Sequence, residues 1–364
     1  MDELGGLAVT PVTELERAFA ERLDGLEAGG APVVGLFGAG LPATLVRSAG
    51  AMVVDVKAPP LADATDGPRV TAVDSVAEPF LDDFTARFLH RLAAGAFDAL
   101  SLVVFARGDV AALAAYQYAT EMRRLGMIES TGPRFHLWNM VHSDSAAAAA
   151  YNRTELARLD AVLDALVSTD RDFAAAQASE ARRAAALARV PAGPDGFVWR
   201  NAGRWLAPEA HADLLNQLPE TAPPASLHIA LVGTACDIPV LHRICAGHGN
   251  VVADLQPYGH GWERAGKDAP DAAALLADIA ADPLHVRANP PARYSRALRE
   301  AVAGCDVIVA SVDRNDDSFG WDIPMLAAHA AKTGRVFVNL GFRPFRPGAD
   351  WIAAAETTLA EALA

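Results

Sequence analysis

Apolar residues fall along this chain in two recurring patterns: short continuous runs, and longer stretches with apolar positions three and four apart. The runs Val33-Val-Gly-Leu-Phe37, Met52-Val-Val54, Leu100-Ser-Leu-Val-Val-Phe105 and Arg134-Phe-His-Leu-Trp138 have the length and β-branched content of buried strands. Between them the spacing predicts helices over Leu41 to Ala49, Asp82 to Leu92 and Val110 to Leu125. The first of these has Pro42 in its opening turn and Gly50 as its stop, the usual asymmetry of helix ends.

The same order returns in the second half. His228-Ile-Ala-Leu-Val232 predicts a strand, Ile238 to Ala246 a helix stopped by Gly247 and Gly249, and Val251-Val-Ala253 a strand ending at Asp254. Tyr294 to Val302 reads as a helix, Asp306 to Ala310 as a strand, Pro324 to Lys332 as a helix and Arg335 to Asn339 as a last strand. Continuous apolar strands separated by helices imply parallel sheets covered on both faces. The expected fold class is therefore α/β: two doubly wound parallel-sheet domains in tandem, Rossmann- or flavodoxin-like, with connecting helices. Expected boundaries are an N-terminal helix within 1–30 (Thr13 to Glu27), a first α/β domain 31–144, a helical connector 145–226, a second α/β domain 227–345 and a C-terminal helix 346–364. The connector is expected because Leu156, Leu159, Leu163 and Leu166 recur at helical spacing. Pro191 to Pro194 breaks that pattern, and Pro223-Pro224 marks entry to the second domain.

Composition narrows the function classes. With 31 Lys plus Arg against 45 Asp plus Glu, the net charge of −14 opposes a phosphate backbone, and no basic patch offsets it, so nucleic acid is not an expected partner. No apolar run approaches the roughly 20 residues of a membrane-spanning helix. Met1 to Gly5 carries acids where a secretory signal would carry basic residues, which points to a cytoplasmic protein without a membrane partner. The cysteines, Cys236, Cys245 and Cys305, are odd in number and include no CxxC pair, so they read as small buried apolar residues.

In open parallel sheets ligands sit beyond the carboxyl ends of the strands. In the first domain those loops hold Gly38 and Gly40, Asp55 and Lys57, Arg107 to Asp109, and Asn139 with His142. In the second they hold Thr234 to Asp237, Asp254 with Tyr258-Gly-His-Gly-Trp262, Asp313 to Trp321, and Gly341 to Arg346. Candidate catalytic residues are Arg107, to hold an anionic group, and Asp109, His142, His260 and Asp317, to move protons. Gly38, Gly40, Asp55, Thr234 and Asp254 are candidate cofactor-binding positions.

Gly38-Ala-Gly40-Leu-Pro-Ala43 fits a relaxed dinucleotide fingerprint with Asp55 at the end of the next strand, so NAD(P) is the alternative cofactor. A tight strand-to-helix turn recruits glycine for backbone freedom in any case, and Pro42 removes one N–H donor. Asp313-Arg-Asn-Asp-Asp317 lacks the glycine and closing glutamate of a calcium loop, so no metal is expected there. Trp138, Trp262 and Trp321 all fall at strand ends, where they line either a pocket or a core.

The segment Val33-Val-Gly-Leu-Phe-Gly-Ala-Gly-Leu-Pro-Ala-Thr-Leu-Val-Arg-Ser-Ala-Gly-Ala51 resembles the opening of a known family, the D-component of 2-hydroxyacyl-CoA dehydratases with the related benzoyl-CoA reductase subunits. The resemblance continues through Tyr151 to Leu166, Leu227 to Gly249 and Gly341 to Leu363. It implies two βα domains, pairing with a second subunit, and an iron–sulfur cluster on cysteines at strand ends in the cleft. The segments that correspond to the ligand positions are Thr85 to Arg87, Ala106 to Asp109 and Asp313 to Trp321, and none contains cysteine. Such clusters need several thiolates, so none is expected here.

The expected function is that of a cluster-free relative: a companion subunit or a binder of an acyl-CoA-like ligand in the interdomain cleft, dehydratase-like if it catalyses at all. Its expected partners are that small molecule and a cluster-bearing paralogous subunit or a second copy. The alternatives are an NAD(P)-dependent oxidoreductase using the Gly38/Gly40 turn, and a non-catalytic scaffold.

Overall fold

The computed structural model describes residues 10–23, 30–58, 69–129, 131–167, 171–219, 227–260, 268–284, 290–316 and 318–364. Asp317, Trp262 and the Pro223-Pro224 pair lie outside the described residues.

Helix α1 (Pro11–Glu21) starts where Thr10 accepts the Thr13 N–H and stops at Arg22, whose φ of 51° breaks the helical path. It begins two residues before the expected Thr13 and ends before Arg22, whose side chain is drawn into the interior to Asp237; Asp24 to Glu27 of the expected span lie outside the described residues. Then come β1 (Val33–Phe37), α2 (Ala43–Ser48), β2 (Met52–Asp55), α3 (Thr71–Asp74), α4 (Asp83–Ala93), β3 (Leu102–Ala106), α5 (Val110–Arg124) and β4 (Arg134–Trp138). All four strands are parallel, in the order β2-β1-β3-β4.

Helices α6 (Ala146–Asp164), α7 (Phe173–Leu187), α8 (Pro194–Ala202) and α9 (Pro208–Asn216) follow. The second half contains β5 (Leu227–Gly233), α10 (Val240–Ala246), β6 (Gly249–Asp254), α11 (Ala272–Ala281), α12 (Pro291–Ala301), β7 (Val307–Asp313), α13 (Ile323–Thr333), β8 (Val336–Arg343) and α14 (Ala349–Leu363). Its sheet is again fully parallel, ordered β6-β5-β7-β8, so the two halves share one topology.

The apolar runs are continuous because each central strand is covered on both sides; every residue of β3 and β7 is buried. Alternate side chains divide between two cores. Phe37, Val103 and Phe105 pack with α4, α5 and, unexpectedly, with Phe197, Trp205 and Leu215 from the α8 and α9 region. Val34, Leu102 and Val104 pack with α2, with Leu159 and Leu163 of α6, and with Leu275, Leu276 and Ile279 of α11. Helix α11 follows β6 in sequence yet covers the first sheet.

The second sheet is closed by α10 and α14 on one face and by α12 and α13 on the other. Among the described residues no helix is long and apolar enough to cross a membrane.

Candidate functional site

The carboxyl ends of both sheets meet along a polar seam. Lys57, just past β2, reaches Asp109 at 2.6 Å, and Asp109 also caps α5 by accepting the Ala112 N–H. Gly38 makes this approach possible. Its φ is +105°, and a Cβ there would stand 3.1 Å from Asp109 Oδ2 and 3.0 Å from the Ala106 Cβ.

Beside this pair Asp82 caps α4, accepting from the N–H groups of Phe84 (2.8 Å) and Thr85 (3.3 Å). Burial pushes the Asp82 carboxyl up to about 6; Lys57 opposes the rise, while Asp109 and Asp313 add to it. Burial pulls the Lys57 ammonium down, but Asp109 and Asp82 outweigh it and hold it above the usual lysine value. The second domain supplies Asp313 at the end of β7, whose N–H donates to Thr234 Oγ1 at 2.6 Å. Asn315 then crosses to the first domain and donates to Asp83 at 3.3 Å.

Further along the seam, three guanidiniums converge on one carboxylate. Asp237, in the loop after β5, has its Oδ2 3.3 Å from Arg22, 3.3 Å from Arg87 of α4 and 2.7 Å from Arg346 after β8. Burial alone would raise the Asp237 carboxyl, and the three arginines reverse it to below its ordinary value. Burial lowers Arg22 to about 10, against the pull of Asp237, and Arg346 and Arg87 press in the same direction as burial. Burial also lowers Arg87, against the pull of Asp237, and both Arg22 and Arg87 stay cationic at neutral pH.

Asp237 Oδ1, Arg87 Nε and Arg346 Nε have no hydrogen-bond partner among the described residues. The Arg346 side chain is 31% exposed, so solvent reaches the cluster from that side. Phe84 and Phe345, 4.7 Å apart edge to face, lie between the two charged groups, with Lys57 over Phe84 and Arg87 over Phe345. The seam thus offers a cationic cluster for an anion, an aromatic wall, and a carboxyl that exchanges its proton near neutrality.

The candidate residues chosen from sequence are distributed unevenly around this seam. Asp109 lies in it. Arg107 is exposed, and its backbone N–H donates to the Trp138 carbonyl. His142 is partly buried past β4. His260 folds back on its own strand end, where Nδ1 accepts from the Asp254 N–H at 3.2 Å. Thr234 serves the loop itself, through Asp313 and through its carbonyl, which accepts from Arg343.

Asp254 is fully buried with His242 Nε2 2.8 Å from its Oδ2. Burial would raise its carboxyl, and His242 and Gln256 instead hold it below its ordinary value. Trp138 is buried and donates to the Gly40 carbonyl at 3.0 Å, while Trp321 is 84% exposed.

Gly38, Gly40 and Asp55 do come together, at the edge of a separate cavity of about 140 Å³ beyond β1 and β2. Asp55 is engaged there by the Ala58 N–H (2.8 Å) and by Arg204 (3.3 Å). Helix α2 has only six residues and begins after Pro42. The volume is well below the roughly 300–1,000 Å³ of pockets that take drug-sized ligands.

Among the described residues no group of three or more His, Cys, Asp or Glu is arranged to hold a metal. Cys236 is beside Asp237, Cys245 is in α10 and Cys305 precedes β7, all buried as free thiols. Burial raises the Cys236 thiol, so it is not a thiolate at neutral pH. This donor set does not fit an iron–sulfur cluster, which needs converging thiolates.

Asp237 and Arg346 fell in loops read from sequence as strand ends, and Arg87 in a segment the resemblance singles out, but none of these, nor Asp82 or Arg22, was among the candidate site residues. Asp82-Asp-Phe-Thr85 reads simply as a helix cap. A signal did exist in α4, where Arg87 and Arg91 share a face with Phe84 and Phe88, and arginines on an apolar stripe mark a buried charge cluster. No protein-family model matches this sequence, and no curated protein matches it.

Proposed function

We propose that this protein is a cluster-free relative of the 2-hydroxyacyl-CoA dehydratase and benzoyl-CoA reductase subunits that binds an anionic acyl-CoA-like ligand at the interdomain seam. One observation supports this above all. The segments that the family resemblance singles out, Thr85 to Arg87 in α4, Ala106 to Asp109 after β3 and the stretch from Asp313 at the end of β7, lie around Lys57 and Asp237 although they come from different elements and both halves of the chain.

In this reading Arg346, the exposed member of the cluster, holds an anionic group of the ligand, and the buried Arg22 and Arg87 add to the positive field behind it. Phe84 and Phe345 pack against its acyl part, and Asp82 is the group placed to take or give a proton beside the Lys57 charge. The chain acts by itself as a binder or as the companion of a cluster-bearing subunit.

The test is calorimetric titration of the full-length protein with acetyl-, butyryl- and benzoyl-CoA, free CoA and NADH at about 1 mM ligand, where even a complex of about −4 kcal/mol is half formed. Binding of a thioester, weakened by Arg346→Ala while the variant remains folded, is the expected result. Binding of NADH alone, or of none of the compounds, overturns the reading.

A further inference from the structure

The outer edge of the first sheet is only partly closed. Strand β2 ends the sheet; its Met52 N–H donates to the Pro32 carbonyl at 2.9 Å, and the Val56 N–H donates to the Leu36 carbonyl at 3.0 Å. In a parallel ladder the backbone groups of alternate residues face opposite sides, so Val53 and Asp55, and Ala51 just ahead of the strand, direct their N–H and C=O away from β1. Asp55 behaves accordingly: its N–H donates to the Arg204 carbonyl at 3.1 Å, and its own carbonyl accepts from Trp205 Nε1 at 2.9 Å. The backbone groups of Ala51 and Val53 on that side have no hydrogen-bond partner among the described residues. Both residues are nonetheless buried, at 8% and 5% exposure. Most buried backbone groups are paired, so two adjacent unfilled rungs are an exception that a ligand or ordered water has to satisfy.

The rungs open into a cavity of about 560 Å³ between β2 and helices α7 and α9, which adjoins the smaller cavity and shares Arg47 and Val53 with it. The volume is within the range of pockets that hold whole ligands. The wall facing β2 carries small side chains, Ala175, Ala176 and Ser179 of α7 and Ala207 ahead of α9. A chain can therefore lie at the ~4.8 Å spacing of a neighbouring strand without displacing a large group. At Asp55 the same edge is already covered in this manner by Arg204 and Trp205, and an occupant beside Val53 continues that contact along the strand. The exposed residues Asp172 and Glu209 line the opening, and the net charge of −14 repels acidic chains as a whole.

We propose that this groove binds an extended peptide segment of a partner protein by strand addition to β2, the peptide carrying small or apolar residues opposite Val53 and a basic residue beside them. A row of N–H and C=O groups at strand spacing is matched by another extended backbone, which favours a peptide over an aliphatic chain or a nucleotide. Pairing with Ala51 and Val53 takes about three to five residues, ~10–17 Å at ~3.3 Å per residue. The inference is independent of ligand binding at the seam.

The experiment selects random seven-residue peptides, displayed on phage, against the full-length protein. Counter-selection uses Ala176→Phe or Ala207→Phe, whichever keeps the wild-type melting temperature, since each fills the groove from one wall. Selected peptides should be rich in Lys and Arg and poor in Asp, Glu and Pro. Synthesised and titrated by calorimetry with each position N-methylated in turn, they should lose about tenfold or more in affinity at alternate positions, where a paired N–H is removed and a buried carbonyl is left without its donor. This scan needs no protein variant and decides the question if neither variant folds. Residue-resolved amide exchange gives a further reading: the Val53 N–H should exchange faster than those of Met52 and Val54 in the free protein and slow at least tenfold with peptide bound.

The proposal is overturned if no peptide is enriched over the groove-filled variant, or if N-methylation leaves affinity unchanged at every position. It is also overturned if the Val53 N–H is as protected as that of Val54 in the free protein, which would mean that the rung is filled by ordered water or by the chain itself.

Discussion

Replacing Asp82 by Asn should stabilise this protein at neutral pH, which is unusual for a change in a charged cluster. The structure holds the Asp82 carboxyl at about 6 instead of 3.8, chiefly through burial. A raised value in the folded state means that its contribution to stability is complete below the unfolded value of 3.8 and is lost as the pH rises through about 6. That rise corresponds to about 3 kcal/mol of disfavoured charge, an upper figure because the side chain is only partly buried.

Asparagine cannot ionise, and it caps a helix about as well as aspartate, so the bonds from Phe84 and Thr85 have a replacement acceptor. Asp82→Asn and wild type should therefore be equally stable near pH 4. The variant should gain about 1–3 kcal/mol by pH 8. Urea unfolding followed by far-ultraviolet circular dichroism at each pH gives the two stabilities. The same substitution should abolish any proton transfer at the seam, so stability and activity move in opposite directions. Parallel pH profiles for the two proteins, or a less stable variant at pH 8, would refute the reasoning.

Asp237→Asn leaves Arg22, Arg87 and Arg346 without their common counter-charge and should cost about 3–5 kcal/mol. Arg346→Met should cost clearly less because it also relieves repulsion among the arginines; equal losses in urea unfolding would show that the cluster is not coupled in this way. Gly233→Ala should cost about 3 kcal/mol or more or prevent folding, since φ is +137° and the added Cβ would lie 1.8 Å from the Ser311 carbonyl oxygen; near-native unfolding of the variant would contradict the structure. Purified without oxygen, the protein should be colourless and free of stoichiometric iron, because the segments that would ligate a cluster contain no cysteine. A brown preparation with iron at cluster stoichiometry would reverse that view.

Local pattern was enough to read strands β1 to β8, most of the helices between them and the class of fold, but not α3, α8, α9 and α11. Continuous apolar runs such as Leu102 to Phe105 have to be covered on both faces, and glycine stops such as Gly50 and Gly247 end the intervening helices, so parallel sheets follow from local pattern alone. It also placed Gly38, Asp55, Lys57, Asp109 and Thr234 on the loops that the folded chain brings to strand ends.

The partners of those residues were decided only by the tertiary structure. Asp55 meets Arg204 from the end of α8, Asp254 is taken up by His242, and Asp237 gathers arginines from positions 22, 87 and 346. The Asp55 and Asp237 partners are more than a hundred positions away, and such pairing leaves no periodic trace in a single sequence. Packing of α8, α9 and α11 onto the first sheet is likewise set by which apolar stripe fills which face, and short amphipathic helices do not announce their target. The seam and the cavity are products of that packing: local sequence supplies the side chains, and burial in a particular place raises the Asp82 carboxyl and gives Asp237 its three guanidiniums.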